Sequence, residues 1–442
     1  MRKQGLVALT RCCAFLAAGG AAAGSTGVGK TTAAGGSPPS FILVDPGTLG
    51  GSQSSLDLPA VPLSPQGVLL GTADTTIGDL DYPNFNPFLE GSPDPTLTQA
   101  FEWKNGTMTN LGALPGNNGS AVFDVNGAGV GAGMSETSNI DPNTGWPSLH
   151  AVMFDHGNVL DLGTLPGGHE SMAIAINDRG EISGFASNGT SDPFSIFGWG
   201  TEARSFIWEH GQMRDIGTLG GPDTVMTSLN RRGQISGVSY TNDTANAATG
   251  IPTLDPFLWH DGHMQDLGSL GGTAASVNWM NDAGEVVGAS DLTGDQAQHP
   301  FLWNGHRLID LGTLGGDNGS ASWISGSGDV VGNSDLADGP HHAFLWSNGA
   351  MHDLHPINGA PCSNGNGVND RGEAVGNSTD CQGDSLGATV WIHGVGYDLN
   401  TLIAPSSLHL DEADYISDSG EIVGVGTLPD GDQHVFLLIP HN

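Results

Sequence analysis

Residues 299–335, HPFLWNGHRLIDLGTLGGDNGSASWISGSGDVVGNSD, form the clearest copy of a unit that recurs along most of the chain. The unit contains four short apolar runs, numbered here in chain order: HPFLW, LIDLG, SASWI and DVVGNS. Each run is too short for a helix and is bounded by turn residues, so each is predicted to form a strand. Residues 304–305, Asn-Gly, suit a tight hairpin turn, and residues 325–328 take the place of Asn-Asp-x-Gly in other copies. The unit is therefore predicted to be a four-stranded antiparallel sheet.

An acidic or amide residue near the end of the second run allows the copies to be counted. It falls at Asp45, Asn110, Asp161, Asp215, Asp266, Asp310, Asp353 and Asp398. Successive positions are 65, 51, 54, 51, 44, 43 and 45 residues apart. A four-stranded unit of about 40–50 residues that repeats radially is typical of a β-propeller blade. We therefore predict an all-β protein, a β-propeller of eight four-stranded blades, with seven blades as the alternative.

The two ends of the repeat region complement each other. The first copy begins at its second run, FILVDPGTLGG (41–51), whereas the chain ends on a first run, HVFLLI (434–439). Pairing of these two terminal strands would complete one blade and leave no unpaired sheet edge. We therefore predict a ring that is closed by the N- and C-terminal strands.

The charge of the chain argues against one class of partner. Its 442 residues include 47 acidic and only 12 basic side chains, which gives a formal net charge of −35. Nucleic-acid binding needs a basic surface, so no nucleic-acid partner is predicted. Anionic membranes would also repel this surface, which we interpret as a solubilising coat rather than as a specific cation site.

The N-terminal residues carry the features of an export signal. Residues 1–23 combine Arg2-Lys3, a mainly apolar stretch and three alanines before Gly24. Residues 24–40 are rich in Gly, Ser and Pro and are predicted to be a linker, and residues 41–442 are assigned to the propeller. We therefore expect a secreted or periplasmic monomer, with no membrane span once the leader is removed.

Two residue types recur in nearly every copy and are predicted to be structural. A ring in the first run is expected to fill the space between neighbouring blades, as at Phe101, Phe206, Phe257, Phe301 and Phe344. The acid of the second run is expected to accept amide hydrogen bonds from the turn that follows it, because catalysis needs one asymmetric constellation rather than a repeated residue. No calcium-loop, zinc-protease or serine-hydrolase motif occurs, so no catalytic residue and no cofactor is predicted; calcium or a transition metal remains an unsupported alternative.

The candidate ligand-binding residues come from the variable connections and from the position at which the first run begins. The longest connections before a first run are residues 73–99, 136–149, 185–203 and 239–254, so a functional surface is expected there. If the first run were the innermost strand, four recurring histidines and Asp255 would surround the central channel and could bind a metal. The favoured alternative is that each histidine caps carbonyl groups of the following TLGG loop. The candidates are His150, His169, Arg204, Asp255, His299, His342 and His434.

Two cysteines outside the leader are predicted to form a disulfide. Cys362 and Cys381 lie nine and ten residues from Arg371, which belongs to the turn between the third and fourth runs of their copy. An antiparallel hairpin would bring them opposite each other near its open end, and an exported protein meets an oxidising compartment.

The repeat resembles the bacterial HAF family of extracellular repeat proteins. The resemblance covers about residues 41–440 and includes His342-Ala343-Phe344 and the terminal DLNTLI and FLL segments. It implies secretion and a repeat architecture but no activity, so no catalytic residue is carried over. The departures are Pro46, His355-Pro356 in place of Gly-Thr, and Cys362.

The expected function is non-enzymatic binding of an extracellular protein or glycan. The alternative is an extracellular propeller enzyme that acts on polysaccharide, with its site among the long connections and His150, His169, Arg204 and Asp255. The spacing of these residues does not demand catalysis, and the sequence identifies no ligand.

Overall fold

The computed structural model describes residues 38–56, 61–247 and 249–441. In these residues the chain forms 32 strands and one short 3-10 helix, Leu399–Thr401. The prediction of an all-β propeller is confirmed by these antiparallel four-stranded sheets. The proposed leader and most of the proposed linker lie outside the described residues. None of the described segments is a helix long and apolar enough to cross a membrane.

The strands pair into four-stranded sheets, numbered here in chain order. The first strand, β1 (Phe41–Val44), joins the last sheet. Sheet 1 contains β2 (Gly50–Ser55), β3 (Leu69–Gly78), β4 (Thr96–Lys104) and β5 (Thr107–Asn110). Sheet 2 contains β6 (Ser120–Val125), β7 (Gly131–Ile140), β8 (Pro147–Asp155) and β9 (Asn158–Gly163). Sheet 3 contains β10 (Ser171–Ile176), β11 (Ile182–Ser191), β12 (Thr201–Glu209) and β13 (Gln212–Asp215). Sheet 4 contains β14 (Thr224–Leu229), β15 (Ile235–Tyr240), β16 (Leu254–His260) and β17 (His263–Asp266).

The C-terminal half repeats this arrangement. Sheet 5 contains β18 (Gly271–Met280), β19 (Val286–Leu292), β20 (Gln298–Trp303) and β21 (Leu308–Asp310). Sheet 6 contains β22 (Gly315–Ile324), β23 (Val330–Leu336), β24 (His341–Ser347) and β25 (Ala350–Leu354). Sheet 7 contains β26 (Cys362–Val368), β27 (Ala374–Thr379), β28 (Ser385–Ile392) and β29 (Val395–Asp398). Sheet 8 contains β30 (His409–Ile416), β31 (Ile422–Thr427), β32 (Gln433–Pro440) and β1. Single parallel bridges join sheets 4, 5 and 6.

The strand order in each sheet is third run, fourth run, first run and second run, as in β18-β19-β20-β21. The third-run strands of neighbouring sheets contact each other, for example β18 with β22 and β26 with β30, so they line the centre of the propeller. The first run is therefore not the innermost strand. The histidines at the start of that run do not surround the channel, so the condition for a metal site at the channel mouth is not met.

A bulge in the innermost strand accounts for a recurring glycine in the fourth run. The pairing of β18 with β19 shifts register between Val277 and Trp279, next to Gly288. A Cβ atom on Gly288 would lie 1.9 Å from the carbonyl oxygen of Ser276, a distance that no side chain tolerates. The same glycine recurs in six other sheets, where an added Cβ atom would lie 1.9–2.2 Å from a carbonyl oxygen of the inner strand: Gly133, Gly184, Gly237, Gly332, Gly376 and Gly424. The glycine is therefore needed for the close approach of the bulged strand.

The aromatic rings of the first run lie in the core, as predicted. Their side chains are fully buried between sheets, which matches the demand of face-to-face packing for a bulky group at this height. The rings with 0% exposure are those of Phe101, Phe206, Phe257, Phe301, Phe344 and Phe436.

The first described strand pairs with the last. In the antiparallel register of β1 and β32, Phe41 lies opposite Pro440 and Val44 opposite Leu437. Side chains of sheet 8 also pack against those of sheet 1, since Val435 and Leu69 belong to the same buried cluster. The number of blades in the ring and its complete closure stay predictions.

The two faces of the propeller differ. The turn face carries the short turns between the two innermost strands of each sheet, such as residues 177–180 and 281–284. The crossover face carries residues 79–95, 141–146 and 192–200, together with residues 241–247 and 249–253. There the rings of Phe88, Trp146, Phe197 and Trp199 contact one another with centroids 4.8–6.2 Å apart. The long connections thus pack into an apolar cluster over one end of the propeller.

Candidate functional site

A central pocket of about 410 Å³ lies among the innermost strands. Its rim is formed by residues of the turn face, including the exposed Asp178 and Asp282. Its wall is formed by the last residues of the innermost strands. The pocket therefore opens on the turn face. The functional surface had been expected on the opposite face, among the long connections.

Next to the bulges, one residue from each of six innermost strands lines the pocket. This position lies two residues before the turn and differs from sheet to sheet, whereas the structural positions of the repeat are nearly constant. In the pocket lining it is Asp124, Ala175, Ser228, Trp279, Trp323 and Tyr415. An asymmetric set of side chains at the centre of a repetitive scaffold is what a specific binding site requires. This variation is the sequence signal that could have located the pocket.

Three aromatic side chains form one wall of the pocket. The indole rings of Trp279 and Trp323 are stacked with centroids 3.9 Å apart, and the ring of Tyr415 meets Trp323 edge-on at 5.8 Å. Burial, reinforced by nearby carboxylates including Asp418, raises the pKa of Tyr415 to about 12. The phenol therefore keeps its proton and can donate a hydrogen bond to a ligand. The wall offers a flat apolar surface with a polar group at its edge.

Asp124 supplies a carboxyl group to the same pocket. Its Oδ2 atom accepts a hydrogen bond from the amide of Ile176 at 2.9 Å, and its Oδ1 atom accepts one from the amide of Val125 at 2.8 Å. Burial raises the pKa of Asp124 to about 7, although these two amides act in the opposite direction. The group can therefore bind or release a proton near neutrality.

Hydrogen bonds between neighbouring sheets hold the rim of the pocket. The turn acids accept amides of the preceding sheet, as Asp178 does from Gly127 at 2.7 Å. A row of asparagines, here named the Asn relay, donates from each turn to a carbonyl oxygen of the next sheet. The relay bonds are Asn126 to Asn177, Asn177 to Asn230, Asn230 to Asn281, Asn281 to Ser325, and Asn369 to Ser417, at 3.0–3.3 Å. Hydrogen bonds thus tie the turns that form the rim to one another across neighbouring sheets.

The charge of the rim restricts the ligand. Asp178, Asp282, Asp370 and Asp418 face the opening, and Arg231 is the basic residue in the pocket lining. Arg231 lies 3.5 Å from Asp282, which neutralises it in part. A negatively charged ligand would be repelled, so the geometry favours a neutral or cationic one.

The recurring histidines pair with the recurring acids in the outer half of each sheet. The Nδ1 atom of His150 lies 3.0 Å from Asp161, and that of His299 lies 2.9 Å from Asp310. The same pairing joins His342 to Asp353, His434 to Asp45 and, through Nε, Arg204 to Asp215, at 2.8–3.1 Å. The histidines therefore contact a carboxylate of the adjacent strand rather than carbonyl groups of the TLGG loop.

The predicted role of the second-run acid is confirmed. Asp161 and Asp310 each accept the amide of the glycine two residues later, at 2.7 and 2.8 Å. The acid therefore joins the outer strand, its turn and the neighbouring first-run residue.

The remaining candidate residues do not form a common site. Asp255 has a carboxylate neighbour instead of a base: burial and then Asp266 raise the pKa of Asp255 to about 6. His169 is exposed, and its backbone amide donates to Ser187 at 2.9 Å. His150, Arg204 and Asp255 lie in sheets 2, 3 and 4, and each faces a partner in its own sheet.

Cys362 and Cys381 form a disulfide, with Cα atoms 5.2 Å apart. Cys362 begins β26 and is fully buried. The two cysteines do not lie directly opposite each other as predicted: Thr379, the last residue of the fourth-run strand, is opposite Cys362, and Cys381 lies two residues beyond it. The bond therefore ties the loop after β27 to the start of the innermost strand.

Comparison with known proteins gives a likeness of fold. The chain matches no protein-family model and no curated protein. It is similar to the β-propeller domain of the Trilobed protease from Pyrococcus furiosus, with a TM-score of 0.43 and 10% identity over 81% of this chain and 95% of that one. It is also similar to an acylaminoacyl peptidase from Pyrococcus horikoshii (TM-score 0.39, 10% identity, 78% of this chain and 52% of that one). TolB from Acinetobacter baumannii matches with a TM-score of 0.33 and 8% identity over 84% of this chain and 80% of that one.

Proposed function

We propose that the protein is an extracellular binding scaffold that takes a neutral glycan in its central pocket. The observation that carries this proposal is the stacked pair Trp279 and Trp323, with Tyr415 at its edge, inside an acidic rim. Sugar rings present an apolar face that stacks on aromatic side chains and hydroxyl groups that hydrogen bond to carboxylates. A sulfated or phosphorylated glycan does not fit, because the rim carries the same sign of charge.

Export and monomeric state belong to the same proposal. The basic and apolar leader pattern of residues 1–23 and the Cys362–Cys381 disulfide support a secreted or periplasmic location. The resemblance of the repeat to the HAF family supports membership of that family of extracellular proteins. The net charge of −35 supports a protein that stays monomeric through mutual repulsion.

The test is titration of the full chain with neutral oligosaccharides and with a matched sulfated set, followed by calorimetry and tryptophan fluorescence. We expect binding of neutral members, at least tenfold weaker binding by Trp323→Ala, and none of the sulfated set. Trp346→Ala is the matched control, because Trp346 lies on β24 of the same sheet but outside the pocket lining. Equal binding by Trp323→Ala, or binding to neither set, would contradict the proposal.

The enzymatic alternative is decided by the same material. The long connections bring no acid and base of the sequence candidates together, so the polysaccharide-directed enzyme has no support on that face. Asp124, with its raised pKa, is the group in the pocket that could donate a proton. If the protein releases reducing ends from a bound oligosaccharide and Asp124→Asn abolishes this release, the protein is an enzyme and not only a binding scaffold.

A further inference from the structure

Asp353 lies between two histidines, a situation that differs from that of the other second-run acids. The Nδ1 atom of His342 is 2.8 Å from its Oδ1 atom, and the Nδ1 atom of His355 is 3.1 Å from its Oδ2 atom. The ligating atoms of the three side chains all lie within 4.8 Å of one another. Among the described residues, this is the one group of three such side chains that meets this distance.

The sequence of sheet 6 explains why the second histidine is present. In six of the other seven sheets the residue two positions after the acid or amide is a glycine with positive φ, as at Gly163 and Gly312 (+74° and +72°), whose amide bonds back to that residue; in sheet 7 it is Asn400, whose amide makes the same bond. Here that residue is His355, which is absent from the positive-φ conformations. The following Pro356 restricts His355 to extended backbone. The imidazole of His355, rather than a backbone amide, thus contacts the acid.

A hydrogen bond from a buried tryptophan fixes the backbone of His355. The fully buried Trp391 donates its Nε1–H to the carbonyl oxygen of His355 at 3.0 Å. His342 is 12% exposed and Asp353 23%, whereas the His355 side chain is 76% exposed. The side chains of His342 and Asp353 are therefore held in the sheet, whereas the side chain of His355 lies on the solvent side of them.

We propose that His342, Asp353 and His355 form a binding site for a divalent transition-metal ion of the zinc class. Two imidazoles and one carboxylate are a usual ligand set for Zn²⁺, with bonds of about 2.0–2.2 Å to each. Such bonds place ligand atoms about 3.3 Å apart in a tetrahedron, close to the 2.8 and 3.1 Å observed. The fourth position faces solvent on the side of His355 and is open to water or to a ligand of another molecule. This site is separate from the central pocket and does not depend on the function proposed for it.

The experiment uses the full chain, produced without a histidine tag, stripped with EDTA and titrated with Zn²⁺ by calorimetry. We expect one ion per chain, and at least tenfold weaker binding by His355→Gly. This variant restores the residue of six other sheets, where glycine suits the turn, and is expected to fold. Co²⁺ in place of Zn²⁺ should give the visible absorption of a tetrahedral site with nitrogen ligands.

The control is His299→Ala in sheet 5. His299 pairs with Asp310 in the same way, but the residue two positions after Asp310 is Gly312 instead of a histidine. This variant should bind Zn²⁺ as the unmodified chain does. The site is refuted if the unmodified chain binds no ion, if His355→Gly binds it equally well, or if His299→Ala loses as much affinity.

Discussion

The Nδ1 atom of His434 lies 3.0 Å from both carboxylate oxygens of Asp45, although 389 residues separate the two in the chain. The contact reproduces the pairing of His299 with Asp310, which lie 11 residues apart in one hairpin. The chain ends thus form the same local structure as a continuous segment of the repeat.

Removal of residues 434–442 should therefore destabilise the whole propeller. The deletion takes away most of β32, leaves β1 without its partner strand and exposes the edge of β31. An unpaired edge promotes intermolecular pairing, so we expect a lower melting temperature and aggregation. Thermal unfolding and size-exclusion chromatography of the truncated and full chains provide the measurement. An unchanged melting temperature with unchanged elution would contradict closure by the terminal strands.

Each of three long connections on the crossover face contributes one member of a pair of neighbouring carboxyl groups. Glu90 lies near Glu136, Glu170 near Asp141, and Asp223 near Asp192. Burial, and then the neighbouring acid, raises the pKa of Glu90 and of Glu170 to about 8. Burial also raises the pKa of Asp223 well above its usual range.

The free energy of unfolding should fall as the pH rises from about 4.5 to about 8. The folded state holds protons on these acids that the unfolded state has released, so it binds more protons in this window. The stabilisation is complete below the unfolded pKa and is lost as the pH passes the folded pKa. Each such group changes the stability by at most about 1.4 kcal/mol per pH unit. Urea denaturation at pH 5 and pH 8.5 gives the measurement.

Glu170→Gln tests the assignment of this effect. Glutamine keeps an oxygen for the amide of Leu149, which Glu170 accepts at 2.9 Å, and it stays neutral beside Asp141. The variant should lose less stability than the parent between pH 5 and pH 8.5. Asp338→Asn, at an exposed carboxylate, is the control and should follow the parent. Parallel pH profiles for Glu170→Gln and the parent would rule out the carboxyl pair as a cause.

The sequence predicted those features that depend on neighbours along the chain. The runs of residues 299–335 became strands, the ring of Phe301 became core, and Asp310 accepts the amide of Gly312. Each of these follows from local spacing and turn chemistry. The fold class followed because the same unit recurs at a length typical of propeller blades.

The radial order of the strands did not follow from this spacing. All four runs have similar length and apolar character, so periodicity alone does not say which one is innermost. The pocket was missed for this reason, since Trp279 and Trp323 belong to the third run. Small residues that are fully buried in that run, such as Ala173 and Ala321, reflect the convergence of strands at the centre. They and the bulge-linked glycine are the signals of the radial order.

The disulfide should contribute to stability in an oxidising medium. Cys362 and Cys381 are separated by 19 residues, and a crosslink of this length stabilises by about 3 kcal/mol in the chain-entropy model. Intact mass after alkylation, with and without reductant, should show no free thiol in the unreduced protein within residues 38–442. Cys381→Ser should lower the melting temperature to that of the reduced parent. Two alkylated thiols without reductant would contradict both the bond and the argument for export.

Substitutions in the Asn relay can separate the hydrogen bonds that the asparagine oxygen accepts from those that its amide nitrogen donates. The side-chain oxygen of Asn230 accepts the amides of Arg232 and Gln234, both at 3.0 Å, whereas its Nδ2 atom donates to the carbonyl oxygen of Asn281 and to Oε1 of Gln234. Serine at the corresponding position, Ser325, keeps a bond of the first kind, since its hydroxyl accepts the amide of Asp329 at 3.1 Å.

Asn230→Ser should therefore cost about 2 kcal/mol of unfolding free energy, about 1 kcal/mol for each of the two hydrogen bonds that Nδ2 donates, to Asn281 of the turn in sheet 5 and to Gln234. Asn230→Ala should cost more, because the two turn amides also lose their acceptor. Urea denaturation of both variants at one pH measures the difference. The matched variant Ser325→Ala has no relay bond to lose, and its cost should reflect only the amide of Asp329 and the hydroxyl of Ser327, which both bond to the Ser325 hydroxyl. Equal stability of the two Asn230 variants would show that the turn does not depend on the side-chain acceptor and that the bonds donated by Nδ2 account for the asparagine.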